Sequence, residues 1–396
     1  MKRTRPALSY SRIPAILLAI ALGAVLAGLF AAPAPRAFAD PVTEIEEGVP
    51  YRLICADNTK LVAEFDADNP TAGTKVHLAA PSDGANQVFT FTSDGNGGYF
   101  IHSYYNPSLL LTAETLAVYG VVDGNWRHSS HAQVWRASNL GDGVWRFKGG
   151  TSRWYLGAEG SHAKDGCNVI MRNNNGSKTQ KWILERVDPA TITGAAALPN
   201  SADGTAYRVV SVSNPRTVVS LPEGWSAEGT LLTIAAGKDS ASEQVFLFDL
   251  QTDGVYFIHS QADPDLYLTA NTLALRGGVE VLPVKGKGNR AWVIDPLPDG
   301  TFRLMPTADP DWFLDTTGSS TAVGSDVIMY TANSGDTQKW TFMDANESWP
   351  NNKGVIDVNE VVVAAEIVAA EAAAAEAEAA AAEAAAKAAE DRKSVV

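Results

Sequence analysis

The chain has 396 residues, 45% hydrophobic and 19% charged, which is enough for two or three ordinary domains. The first 39 residues carry five Lys/Arg and no Asp/Glu, so the remainder holds 26 basic against 45 acidic residues, a net charge of −19. That balance argues against nucleic acid, whose binding surfaces must be basic. It favours solubility and gives no pull toward anionic surfaces.

The chain opens on a basic "MKRTR", an apolar "IPAILLAIALGAVLAGLF" and a small-residue "AFA" before Asp40, the order expected of a signal peptide spanning 1–39. Retention as a membrane anchor is the alternative. The well-formed Ala37-Phe38-Ala39 site and Pro14 at the start of the run favour cleavage. No later stretch is apolar enough to span a bilayer. The expected product is therefore secreted or extracellular, with association to the cell surface as a variant, and has no membrane span after cleavage. Export permits a disulfide between Cys55 and Cys167. Two free thiols are the alternative.

Next comes a duplication. "YFIHS" at 99–103 returns at 256–260, and "LLTAETLA" at 110–117 returns as "YLTANTLA" at 267–274, both offset by 157. "GCNVIMRNNNGSKTQKW" returns as "GSDVIMYTANSGDTQKW" at an offset of 158. Each copy is itself threefold. Gln87-Val-Phe89, Gln133-Val-Trp135 and Gln180-Lys-Trp182 mark the first copy at spacings of 46 and 47. Gln244-Val-Phe246, Arg290-Ala-Trp292 and Gln338-Lys-Trp340 mark the second at 46 and 48. Asp-Gly pairs at 142–143, 253–254 and 299–300 lead into aromatic strands, which is a hairpin signal. Each unit thus reads as a few short strands, too small to fold alone, with the repeated aromatic in a shared core and its Gln as a satisfied buried amide. The gap from Gln180 to Gln244 is 64, and its excess holds "VDPATITGAAALPNSAD", a linker composition. The six units therefore divide three and three, with few contacts expected from the linker.

After Trp349-Pro350 the chain turns to Ala and Glu, both strong helix formers. Residues 360–391, if helical throughout, extend about 48 Å at about 1.5 Å per residue, with no sustained heptad seam. The reading is a solvated α-helical spacer.

Three units of this length with Gln-x-Trp marks resemble the ricin B-type lectin family, over about residues 47–345. The resemblance implies an all-β chain of two tandem β-trefoil domains, 40–188 and 204–346, joined by a linker at 189–203 and followed by the helical tail at 355–396. Neither enzyme activity nor a cofactor is expected. The expected partners are glycans or glycoconjugates, with surface proteins as the alternative.

The residues are consistent with that. His128-x-x-His131 lacks a third ligand near it in sequence, and "DADN" at 66–69 is not followed by Glu at the spacing of a calcium loop. There is no Gly-x-Ser-x-Gly elbow, His-Glu-x-x-His or phosphate loop. Sugar binding needs a carboxylate to accept from ring hydroxyls, an aromatic face against the C–H side of the ring, and amides that fix orientation. Carried over from the family pattern, the sixth unit holds the full set: Asp315, Tyr330, Asn333 and Gln338. Thr337 stands where the family often has Asn. The third unit has Gly157 and Arg172 at the acid and aromatic positions, the first Val62 and Ala79, and the fourth Val218 or Val219 and Ala235. The second and fifth have Thr112 and Thr269 at the acid position. One site is thus expected, with Asp315 and Tyr330 both reaching solvent. A degenerate trefoil pair serving as an interaction or adhesion module, and the targeting arm of a larger hydrolase, are the competing functions. N-terminal sequencing of the exported protein should begin at Asp40; recovery of Met1 from a membrane fraction means an uncleaved anchor.

Overall fold

The computed structural model describes residues 40–128, 131–223, 227–283 and 289–349. The export segment and the Ala/Glu-rich tail read from the sequence lie outside them. The described residues are all-β, and their helical segments are 3-10 turns of three residues each. Five of these turns end on the Gln of a Gln-x-aromatic mark: Ala85–Gln87, His131–Gln133, Lys178–Gln180, Ser242–Gln244 and Asp336–Gln338.

Each unit of the first copy supplies four strands. They are β1 Tyr51–Cys55, β2 Val62–Phe65, β3 Val76–Ala79 and β4 Phe89–Ser93; then β5 Tyr99–Ser103, β6 Leu110–Ala113, β7 Val122–Asn125 and β8 Trp135–Asn139; then β9 Val144–Gly149, β10 Tyr155–Ala158, β11 Val169–Arg172 and β12 Trp182–Arg186. The outer strands of the units pair antiparallel in a closed ring, β1–β4–β5–β8–β9–β12–β1. The inner strands form three hairpins, β2/β3, β6/β7 and β10/β11. A six-stranded ring with three hairpins is the β-trefoil arrangement, and closing the ring removes the open sheet edges.

The second copy repeats this with β13 Tyr207–Ser211, β14 Thr217–Ser220, a short β15 Thr230–Leu231, β16 Thr233–Ala236 and β17 Phe246–Leu250; then β18 Tyr256–Ser260, β19 Leu266–Ala270, β20 Gly277–Pro283 and β21 Ala291–Pro296; then β22 Phe302–Pro306, β23 Trp312–Thr316, β24 Val327–Thr331 and β25 Trp340–Asp344. Its ring is β13–β17–β18–β21–β22–β25–β13. Its hairpins are β14/β16, β19/β20 and β23/β24.

The repeat mark is explained by what it touches. In every unit the aromatic after the Gln, or after Arg290 in the fifth, faces an aromatic of the unit's first strand: Tyr51 against Phe89, Tyr99 against Trp135, Trp145 against Trp182, Tyr207 against Phe246, Tyr256 against Trp292 and Phe302 against Trp340. The four tryptophans are fully buried. Each donates its indole N–H to the carbonyl of a Leu in its own unit's hairpin: Trp135 to Leu111 at 2.8 Å, Trp182 to Leu156 at 3.2 Å, Trp292 to Leu268 at 2.9 Å and Trp340 to Leu314 at 3.1 Å. One side chain thus fills the core and ties ring to hairpin. Phe89 and Phe246 fill the same place by packing alone.

The linker expectation is corrected. Thr193 accepts from Ala85 N–H and donates to the Asp83 carbonyl, Ala196 N–H reaches the Tyr105 carbonyl, and Ser201 N–H reaches that of Phe248. The two copies also pack together. Val293, Met305 and Phe313 of the second join the core cluster of the first. Asn106, fully buried, donates to the Ile294 carbonyl at 3.0 Å, and Ser108 Oγ donates to the Gly254 carbonyl at 2.6 Å. Gly254 has a φ of +81°, and a Cβ there would sit 2.3 Å from the Pro107 carbonyl oxygen, so only glycine fits. Shared burial of this kind predicts that the copies unfold together, where the sequence pattern predicts independent folding. The described region should melt in one transition, and Asn106→Ala should lower its stability by about 1–3 kcal/mol by stranding a buried carbonyl. Two well-separated calorimetric transitions in the unaltered chain would contradict this.

Candidate functional site

Gln338 closes the 3-10 turn before β25, and its side chain is fully buried. Its Oε1 accepts from Asn333 N–H at 3.1 Å, while its Nε2 donates to the Thr331 carbonyl at 2.8 Å and to Asp315 Oδ2 at 2.9 Å. Asn333 Nδ2 donates to the same Asp315 oxygen at 3.2 Å, and Thr316 N–H donates to Oδ1 at 2.6 Å. Three of the four expected residues are therefore one hydrogen-bonded cluster. Tyr330 joins them by register. Phe313 pairs with Tyr330 and Asp315 with Ile328, so Asp315 and Tyr330 share one face of the β23/β24 hairpin as diagonal neighbours. Tyr330 is half-buried. Asp315 does not reach solvent as expected; it is 3% exposed, because its carboxylate is drawn inward by three N–H donors.

The Gln amide also identifies the equivalent position in other units. Gln133 Nε2 donates to Thr112 Oγ1 at 3.2 Å, as the sequence reading placed it. Gln87 Nε2 donates to Glu64 Oε2. The acid position of the first unit is thus Glu64 and not Val62, a correction of two residues along β2. The signal was present: Glu64 precedes Gln87 by 23 residues, as Asp315 precedes Gln338. Glu64 is more accessible than Asp315, with 20% of its side chain exposed, and its Oε1 lies 3.4 Å from His77 Nε2. Asn86, adjacent to Gln87, donates to the Phe65 carbonyl at 3.4 Å. Ala79 pairs with Val62, as Tyr330 does with Phe313, so this unit lacks the aromatic face.

The third unit is closed. A Cβ on Gly157 would lie 2.9 Å from the Thr179 carbonyl oxygen, and Arg172 Nη1 donates to the Ala158 and Gly160 carbonyls at 2.7 Å each. Arg172 therefore braces its hairpin. In the fourth unit the corresponding residue is Ser220, just past the two valines, and its hydroxyl donates to the Leu221 carbonyl at 2.7 Å.

The second and fifth units hold carboxylates that the sequence reading missed, because they stand on the opposite strand. Asp123 pairs with Thr112 and Glu280 with Thr269. Asp123 is 7% exposed and its Oδ1 is buried without a hydrogen-bond partner. Burial first, and the charge of Glu114 second, push its carboxyl from 3.8 to about 6. Burial likewise raises Glu280.

Cys55 and Cys167, for which the sequence allowed a disulfide, are free thiols, and burial pushes the Cys55 thiol up. Among the described residues no three His, Cys, Asp or Glu side chains are grouped to hold a metal ion.

A carboxyl raised by folding costs stability as pH climbs from its unfolded to its folded value. Asp123→Asn should therefore raise the melting temperature at pH 7.5 and lose that advantage well below the unfolded value of 3.8, where Asp123 is protonated in both states. An equal gain at both pH values would rule out a buried charge as the cause.

The family model for ricin-type β-trefoil lectin domain-like sequences matches residues 131–235, from the second unit's mark through the third unit and into the fourth. Flavastacin of Elizabethkingia meningoseptica is 38% identical over 64 residues, which are 16% of this chain and 14% of that protein. Among solved structures, the agglutinin from Abrus precatorius is 16% identical over 79% of this chain and 100% of that chain, with a TM-score of 0.31. The Macrolepiota procera ricin B-like lectin in complex with lactose is 21% identical over 36% of this chain and 96% of that chain, with a TM-score of 0.31. The chain is similar to the ricin B-type lectins in its repeat marks and in the sequence of residues 131–235.

Proposed function

We propose that this protein is an exported, non-enzymatic carbohydrate-binding protein whose principal sugar site is the last unit of the second trefoil. The observation that carries the reading is the Asp315–Asn333–Gln338 cluster on the same hairpin face as Tyr330. A carboxylate has about four acceptor positions. Three N–H groups hold Asp315, which leaves capacity for one ligand hydroxyl, while Tyr330 offers a ring face beside it. Glu64, fixed by Gln87, is a second and more accessible carboxylate without the aromatic partner. The match to a lectin-type family model supports the same class of ligand. Each site is shallow, so useful affinity comes from several sites engaging one glycan-bearing surface.

The burial of Asp315 favours one other reading, in which its cluster only fastens the loop before β25 and the trefoil pair binds surface proteins. Glycan-array binding by the full chain separates the two. Asp315→Asn preserves shape and removes the charge, and should weaken binding by about ten- to a hundredfold, the worth of a hydrogen bond to a charged group at roughly 1.5–3 kcal/mol. Tyr330→Ala should do the same, while Arg172→Ala should leave binding unchanged. If folded Asp315→Asn and Tyr330→Ala proteins bind the same glycans undiminished, the site is wrong. If the unaltered chain binds no glycan, the protein-interaction reading replaces it.

A further inference from the structure

A cleft of about 900 Å3 lies where the two trefoils meet. Its walls come from equivalent parts of the duplicated sequence. The β4–β5 turn supplies Ser93, Asp94 and Gly95, and the β17–β18 turn supplies Gln251, Thr252 and Asp253. Phe100 and Phe257, the same residue of the two "YFIHS" strands, both line it. Duplication followed by docking has thus brought two aromatic residues and two polar turns around one space.

The charges in the cleft restrict what it can hold. The Arg127 guanidinium lies 4.9 Å over the Phe100 ring, and its Nε is 3.4 Å from Asp253 Oδ2 across the trefoil boundary. That cation is already matched by a carboxylate, and Asp94 adds a second negative group. Burial, and the neighbouring Arg127 charge, lower the pKa of His128. An anionic ligand finds no spare positive charge among these groups. What they offer is a carboxylate and an amide as hydroxyl partners, at Asp253 and Gln251, with the half-buried Phe257 as an apolar surface. That combination of polar groups and aromatic rings suits a neutral ligand rich in hydroxyls. The volume falls in the usual range of about 300–1,000 Å3 for ligand pockets and exceeds what one sugar ring fills.

We propose that this cleft binds a neutral oligosaccharide segment of two or more rings, held jointly by the two trefoils at a place separate from the hairpin sites. Asp253 and Gln251 take ring hydroxyls, and Phe257 packs against a ring face. A ligand that spans the boundary is lost if the trefoils separate, so it stabilises their docking by mass action. The proposal rests on the carbohydrate-binding reading, but it places the contact on different residues.

Four forms of the full chain test it: unaltered, Glu64→Ala/Asp315→Asn, Gln251→Ala/Phe257→Ala, and all four substitutions together. Each is checked for folding by circular dichroism, then titrated with neutral tri- and tetrasaccharides taken from array hits and with the matching monosaccharide. The hairpin variant should lose the monosaccharide and bind the oligosaccharides more weakly, yet keep the ligand-induced rise in melting temperature that the cleft supplies. The cleft variant should weaken oligosaccharide binding at least tenfold and abolish the ligand-induced rise in melting temperature, leaving the monosaccharide unaffected. Complete loss of oligosaccharide binding in the hairpin variant overturns the cleft and leaves the hairpin reading standing. So does a cleft variant that is folded and binds as tightly as the unaltered chain. If no form binds any neutral sugar, the cleft proposal and the reading beneath it fall together.

Discussion

The constraint on which the rest depends is closure of each six-stranded ring by an aromatic pair in every unit. The first strand of a unit and its fourth meet at one such pair, from Tyr51–Phe89 to Phe302–Trp340. Where the fourth-strand residue is Trp, its N–H also reaches into the hairpin, so ring and hairpin are fixed in one register. An indole buried without a partner costs free energy, and a Leu carbonyl buried without one costs about as much. Pairing them removes both penalties. The two Phe units do without this bond, since a Phe leaves no donor to satisfy.

The Gln before five of these six aromatics serves a second constraint. The loop that enters the fourth strand leaves backbone groups unpaired inside the protein, and the amide accepts one N–H and donates to one carbonyl across it. Gln244 does this with Lys238 and Ala236, and Gln338 with Asn333 and Thr331. The amide's second N–H is then available to whatever stands on the hairpin. In the first and sixth units that is a carboxylate, in the second a threonine hydroxyl. The candidate sugar carboxylates are thus held by the group that holds the fold, which is why Asp315 is both well positioned and deeply buried.

Duplication supplied identical starting material that the docking of the two copies made unequal. His259 keeps Asp249 at 3.1 Å, stacks on Tyr267 and stays half-buried. Its counterpart His102 has Thr92 where His259 has Asp249, and is sealed beneath the other trefoil, with Nδ1 2.6 Å from the Pro107 carbonyl and Nε2 2.7 Å from Thr92 Oγ1. Burial lowers its pKa and favours the neutral ring. A carboxylate beside it would favour the charged form in a place that water cannot reach. Thr92 Oγ1 also lies against the Thr252 carbonyl of the second copy, so the exchange serves the interface directly.

The sequence by itself determined the period, the three-plus-three division and the core aromatic of each mark, because each is a local pattern repeated at near-constant spacing. It also singled out Asp315, Asn333 and Gln338 as a set, and the structure joins the three in one hydrogen-bonded cluster. It misplaced the acid of the first unit, since a shift of two along a strand leaves the alternation of faces unchanged and only the Gln87 amide distinguishes Glu64 from Val62. Asp123 and Glu280 were invisible, because their partners lie across a hairpin and not at a fixed distance along the chain. The shared core, the bonded linker and the cleft were decided by tertiary structure alone. They depend on how two finished surfaces meet, and no spacing within either copy encodes that.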